Sequence, residues 1–344
     1  MKKVNFIILI LAVVFVLAAC NSNLINDKDG YEKVSITHTV SKFDKMDGET
    51  EVYKRVEVTE DFYVNPKKVI TYSLGVADTL NYLGLETLEI EVFGLPKDGQ
   101  PLAQMLDKFN DKKYYDVGTL FEPDFNIIEL INPDLIILDG RSAKFYNELK
   151  TKYPYINVLD ASLTTYKLEN QARIYNNLSK IFTNAGERLL ELITQFEIEF
   201  NDIKEVAKNY RAMFLQLNGD KLSVGIGKTG RYGILFNEFG FGESDPNGDK
   251  LNENSHGASS IDSVEYIHEV NPEVIFMMDR NVITENHQSD DTFLKEAALK
   301  NVDAIKDNYV YYLHPESWYT ITGGANATLK MIEDIRQFID KVNN

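Results

Sequence analysis

Cysteine is almost absent from this 344-residue chain; Cys20 is its single instance. No intramolecular disulfide is therefore available, and no thiolate metal site. Histidine is scarce as well, five in all, without the paired spacing of a zinc or manganese site. His268-Glu269 opens like H-E-x-x-H, but Pro272 stands where the second histidine belongs. No G-x-S-x-G elbow occurs, so nothing marks a hydrolase nucleophile. Basic residues are outnumbered, 36 Lys and Arg against 53 Asp and Glu, for a net charge of -17. Such a chain repels polyphosphate, which sets nucleic acid aside as a partner. Long apolar runs are missing too. The longest, Phe6 to Ala19, has 14 residues, where a membrane span needs about 20.

That run is short for a span and right for a signal peptide: Lys2 and Lys3 precede it and Leu17-Ala18-Ala19-Cys20 closes it. The closing residues resemble a bacterial lipoprotein box with Cys20 at the lipidated, cleaved position; the alternative is a plain signal or anchor helix with an incidental cysteine. Residues 1–19 then form the signal peptide and 20–32 the lipidated cysteine and a polar tether. Loss of Lys2 and Lys3 takes the charge from -17 to -19. More than one acyl chain suffices for stable anchoring. The expectation is an extracytoplasmic soluble protein held to the membrane only by lipid.

What the chain does have is ordinary globular composition, 44% hydrophobic and 26% charged, and length enough for two domains. Two distant stretches nearly repeat: Asn132-Pro133-Asp134 before Leu135-Ile136-Ile137-Leu138 and Asp139-Gly140-Arg141, and Asn271-Pro272-Glu273 before Val274 to Met278 and Asp279-Arg280. A run apolar at every position fits a strand buried on both faces of a parallel sheet, with the Arg at the carboxyl end where open α/β sheets bind ligands. Strands alternate with helices on both sides, which means α/β. Val34–Val40 and Glu51–Val58 alternate like a hairpin at a domain edge. Leu189, Ile193, Phe196, Phe200, Ile203 and Ala207 make one apolar stripe on a single helix over about 185–209, opened by a capping-box-like Asn184 and Glu187. The expected fold is two Rossmann-like lobes joined by that helix: 33–168, a helical segment 169–209, and 210–344.

Gly225 to Gly230 spells G-x-G-x-x-G, which alone is a weak signal and reads as a turn. There remain Arg141, Arg231 and Arg280, each expected at a strand-to-loop junction. Taken singly, each could pair with a local acid such as Asp139 or Asp279; together they suggest convergence on one cleft.

The residues Gly94-Leu95-Pro96-Lys97, Val117 to Asp124, Pro133 to Arg141, Ser255-His256-Gly257, Asp279-Arg280-Asn281, and Trp318-Tyr319 with Gly323-Gly324 resemble those of ferric-siderophore substrate-binding lipoproteins of ABC importers, the class III binding-protein fold. The resemblance covers nearly the whole chain from Val34. It implies two Rossmann-like lobes on one long helix, no intrinsic cofactor, no catalysed reaction, and a monomer that passes its ligand to a permease and, through it, an ATPase. It maps a ligand-binding arginine cluster onto Arg141, Arg231 and Arg280. By the same resemblance His256 and Tyr319 are candidate Fe(III) ligands, completing the iron shell when a siderophore supplies too few oxygens; otherwise His256 is a solvated loop residue and Tyr319 stacks. Trp318 either lines the pocket or packs beneath it. A ferric tris-catecholate carries roughly three negative charges on an aromatic rim, and a guanidinium suits both features. Haem, cobalamin or a hydroxamate chelate on the same fold, or an exported enzyme or adhesin, are the alternatives.

Overall fold

The computed structural model describes residues 31–99, 102–163, 165–219, 221–225, 227–228, 231–245, 258–261 and 264–344. Cys20, the signal segment, His256 and residues 226, 229 and 230 of the glycine string lie outside them. The chain enters through a two-stranded antiparallel ribbon, β1 (Lys33–Asp47) and β2 (Thr50–Tyr63). A parallel α/β lobe follows: β3 (Lys68–Thr71), α1 (Leu74–Leu83), β4 (Val92–Leu95), β5 (Tyr115–Asp116), α2 (Phe125–Ile131), β6 (Leu135–Leu138), α3 (Tyr146–Lys152) and β7 (Asn157–Asp160). Its sheet runs β5-β4-β3-β6-β7, every pair parallel.

Next come α4 (Leu168–Ile181) and the long α5 (Gly186–Ala207). The second lobe holds β8 (Arg211–Asn218), β9 (Lys221–Gly225), α6 (Ile234–Asn237), β10 (Gly242–Glu243), β11 (Ala258–Ile261), α7 (Glu265–Val270), β12 (Val274–Asp279), α8 (Asn281–Thr284), α9 (Asp303–Lys306), β13 (Val310–Tyr312), α10 (Pro315–Tyr319) and α11 (Ala325–Asn343). Its sheet runs β11-β9-β8-β12-β13, with β10 also on β8. The β8–β12–β13 part is parallel and β9 is antiparallel. The expected architecture, two α/β lobes on one long helix, is thus observed.

The repeated sequence does the same work in both lobes. α2 ends on Asn132 and α7 on Asn271, both in the left-handed region (φ 49° and 47°), which asparagine tolerates. The acid after the proline then ties down the neighbouring strand's start. Asp134 accepts the N–H groups of Lys67 and Lys68 at 2.8 and 2.9 Å, and Glu273 accepts that of Arg211 at 2.8 Å. The strands that follow are buried from Leu135 to Leu138 and from Val274 to Met278.

The stripe on α5 is buried at Leu189, Phe196, Phe200, Ile203 and Ala207, while Ile193 is only half-buried and Leu192 beside it is buried instead. Phe196 meets Tyr175 of α4 (6.3 Å between centroids), while Phe200 meets Phe239 of the second lobe (4.9 Å). One apolar cluster therefore runs from Val69 and Phe93 through α5 to Phe214 and Phe276. The helix start differs from expectation. Asn184 lies in a 3-10 turn, Thr183–Ala185, and the residue before the helix, Ala185, makes no side-chain cap. Tight packing decides here: a Cβ on Gly186 would lie 2.7 Å from the Ser179 carbonyl oxygen.

The lobes meet where segments leaving the carboxyl ends of both sheets touch. A Cβ on Gly75, just after β3, would lie 2.5 Å from the Thr322 carbonyl oxygen. Glu316, just after β13, accepts the N–H groups of Gln104 and Met105, both at 2.8 Å.

Candidate functional site

Arg280 extends the β12–β8 ladder by one bond, its N–H donating to Leu217 O at 2.9 Å, and the chain then turns into α8. The turn is built by Asp279. Its carboxylate accepts the Asn281 N–H (3.0 Å), the Ser289 N–H (2.6 Å) and the Ser289 hydroxyl (2.7 Å). Asp139 is used alike, accepting the Gly140 N–H at 2.6 Å; burial pushes its carboxyl upward against that bond's pull. Each strand-end acid thus holds backbone, and no ion pair joins Arg141, Arg231 or Arg280 to a carboxylate among the described residues.

Arg231 and Arg280 come together on one ring. The Arg231 guanidinium carbon lies 4.1 Å from the Tyr319 ring centre and that of Arg280 lies 5.3 Å away, both within cation–π range. Arg231 Nη2 also donates to Tyr319 O at 2.7 Å. The backbone beside Arg231 is fixed by Tyr232, which stacks on Phe214 at 3.8 Å and 12° and donates its hydroxyl to Gln216. Arg280 reaches Asn218 Oδ1 at a long 3.4 Å, and its Nε is buried without a hydrogen-bond partner. A buried guanidinium donor left open costs free energy that an incoming acceptor recovers.

Trp318 is 1% exposed and donates Nε1–H to Asp334 at 2.9 Å. It stacks on Phe239. Of the two roles open to it, lining the pocket or packing beneath it, the tryptophan takes the second, which removes it from the ligand-binding residues. An indole with a buried carboxylate acceptor and an aromatic neighbour has no surface left for a ligand. Its role is to anchor α10, whose last residue is Tyr319.

Arg141 stands on the other lobe, exposed after β6, with its guanidinium carbon 5.0 Å from the Phe121 ring centre. No contact joins it to the Arg231–Arg280–Tyr319 group among the described residues; what relates them is the junction that both carboxyl edges face. Phe121, 60% exposed, lies within the 117–124 segment, and nothing in the local sequence marks it as a ring beside Arg141. That segment is a tight turn: Thr119 Oγ1 accepts the N–H groups of Phe121 and Glu122, and a Cβ on Gly118 would lie 2.6 Å from Glu122 O.

Gly225 ends an antiparallel strand, and Gly227 and Lys228, the other described residues of the glycine string, lie in a turn. A dinucleotide fingerprint needs a parallel strand leading into a helix, and Gly225 instead makes room for the Phe214 and Tyr232 rings, each 3.0 Å from its ideal Cβ. No group of three or more His, Cys, Asp or Glu is placed to hold a metal among the described residues. No helix among them is long and apolar enough to cross a membrane.

The periplasmic binding protein family matches residues 69–317. The chain belongs to that family. It is 31% identical to the petrobactin-binding protein YclQ of Bacillus subtilis, over 99% of this chain and 100% of that one. The YclQ crystal structure matches with a TM-score of 0.70 at 29% identity, covering 87% of this chain and 98% of that one. The periplasmic catecholate-siderophore binding protein VctP of Vibrio cholerae matches with a TM-score of 0.69 at 26% identity, covering 81% and 96%. The family resemblance read from the sequence is borne out. Members of this kind are substrate-binding proteins of transport systems.

Proposed function

We propose that this protein captures a ferric siderophore of the catecholate class outside the cytoplasm and delivers it to an ABC importer, without catalysing a reaction. The observation that carries the reading is the pair of guanidiniums, Arg231 and Arg280, over the ring of Tyr319 with no ion-paired carboxylate among the described residues. Guanidinium cannot lose its proton, is weakly hydrated, and donates in-plane hydrogen bonds to catechol oxygens. Both arginines are half-buried, and partly desolvated charge without a partner is costly, so an anionic chelate stabilises both as it binds. Arg141 with Phe121 offers the same pairing of cation and ring from the first lobe. Tyr319 supplies the stacking surface, and His256 and Tyr319 are the candidates to complete an iron shell that the siderophore leaves open. Relatives named for petrobactin and for catecholate siderophores support the ligand class. Cys20 supplies the lipid anchor in this reading, and a monomer hands the ligand to permease and ATPase.

The test is titration of the purified protein with ferric catecholate, ferric hydroxamate, haemin and cobalamin, following the fluorescence of Trp318, the single tryptophan. Tight quenching by the ferric catecholate alone supports the reading. Silence towards it, with tight binding of another ligand, overturns it.

A further inference from the structure

The entry ribbon leaves the first sheet at its ligand-facing edge. It packs along β7: Asn157, at the start of that strand, accepts the Tyr63 N–H at 2.8 Å and donates to Asp61 O at 2.8 Å. At the strand's other end Arg55 Nη1 bonds Asp160 Oδ2 at 2.6 Å and Ser41 Oγ at 2.9 Å. Pairing then continues from Lys42↔Lys54 to Asp47↔Thr50 with no sheet beneath it. At about 3.3 Å per residue, residues 42–47 carry the ribbon roughly 20 Å past the carboxyl ends of the strands.

That overhang borders an open groove of about 630 Å³ with the turn after β6, lined by Met46, Glu49, Glu51 and Tyr53 on one side and Arg141 and Lys144 on the other. Met46 and Phe43 are 52% and 47% exposed. Neither Glu49 nor Glu51 forms an ion pair with Arg141 or Lys144. Glu51 instead accepts the Tyr53 hydroxyl at 2.6 Å.

We propose that the outer ribbon, residues 42–54, is the first-lobe wall of the ligand site and selects the periphery of the chelate. The inference rests on the ferric-siderophore reading above. Arginines alone do not separate an anionic catecholate from an anionic carboxylate chelate, because a guanidinium fits both. Discrimination needs a repulsive element as well as an attractive one. Met46 and Tyr53 offer apolar and aromatic surface to a catechol rim, while Glu49 and Glu51 repel free carboxylates carried on the outside of a chelate. The ligand class is thus a ferric chelate with an aromatic rim and no free peripheral carboxylate.

The experiment titrates wild type, E49Q/E51Q and M46A/Y53A with the ferric catecholate of 2,3-dihydroxybenzamide, which has no carboxylate, and with ferric citrate, with thermal unfolding of each variant as the check on folding. E49Q/E51Q should raise affinity for ferric citrate roughly fivefold more than for the catecholate, whose charge is spread over its rings rather than carried on free carboxylates. M46A/Y53A should weaken the catecholate roughly tenfold and leave ferric citrate unchanged. Wild-type binding of the catecholate with the same catecholate-to-citrate ratio in both variants overturns the wall alone. Failure of the wild type to bind either chelate overturns the ferric-siderophore reading and this inference with it.

Discussion

The Asp78 carboxylate on α1 accepts the backbone N–H of Ala327, at the start of α11, at 3.0 Å. Its other oxygen accepts the Asn326 side-chain amide at 2.9 Å. A first-lobe acid thus serves donors of the last helix that no intrahelical carbonyl can satisfy. Asp78→Ala leaves them buried and open, and should cost about 1–3 kcal/mol in chemical denaturation. Burial also holds the Asp78 carboxyl above its ordinary 3.8, against the downward pull of Asn326 and Ala327. With the folded value above the unfolded one, the group's contribution is full below the ordinary value and fades as pH rises through the raised one. The unfolding free energy of wild type minus that of Asp78→Asn should therefore shrink as pH rises above the ordinary carboxylate range. A flat or growing difference would refute the assignment.

Arg280 and Arg231 differ in what else holds them, and their variants should differ accordingly. Arg280 has an open Nε and only a long bond to Asn218. Arg280→Ala should weaken a ferric catecholate roughly tenfold to hundredfold with little change in thermal stability, since charge-assisted bonds contribute about 1.5–3 kcal/mol. Arg231 also ties the Tyr319 carbonyl, so Arg231→Ala should lose both affinity and some stability. Arg280→Lys should fall between wild type and Ala, keeping charge but not the planar stack. Equal affinities for all four proteins would remove the arginines from the site.

The arrangement is partly legible in the sequence. The two Asn-Pro-acid strands and the α5 stripe were readable because burial on both faces, or on one helix face, writes itself into local periodicity. The outer ribbon was not. Residues 42–54 are mostly exposed and charged, so no apolar pattern marks how far β1 and β2 extend. Asp139 and Asp279 looked like partners for the adjacent arginines. Only the turn geometry shows that their oxygens are taken by backbone N–H groups. Trp318 and Tyr319 are neighbours in sequence with opposite fates, one beneath the site and one in it. Nothing local distinguishes them, because the partner that buries Trp318 is Asp334 on α11. The Asp78 cap on α11 is equally non-local.

Tyr319 separates stacking from coordination. Tyr319→Phe keeps a ring beneath both guanidiniums, so affinity for a ferric siderophore with six donor atoms should stay within about twofold. Tyr319→Ala should lose roughly tenfold, from the ring surface and the arginine positions it fixes. The visible absorption of a ferric chelate with four donors reports phenolate coordination directly. A band shift in wild type that Tyr319→Phe abolishes places the phenolate on iron; the same spectrum in both proteins leaves Tyr319 as a stacking surface.

Gly75 tests whether the closeness of the two lobes matters to the site. Its ideal Cβ would lie 2.5 Å from the Thr322 carbonyl oxygen and 3.2 Å from the Gly324 nitrogen, both backbone atoms that no rotamer change can move. Thr322 and Gly324 follow Tyr319 by only a few residues. A methyl at Gly75 must therefore push apart the α1 start and the segment that carries the stacking ring. Gly75→Ala should lower stability by about 1–3 kcal/mol, as overpacking does, and should weaken ferric catecholate binding although the residue touches no ligand. Gly140→Ala has open space around its Cβ and should change stability by no more than about 0.5 kcal/mol. Should Gly75→Ala bind like wild type despite its lost stability, the spacing at α1 would be a matter of packing alone.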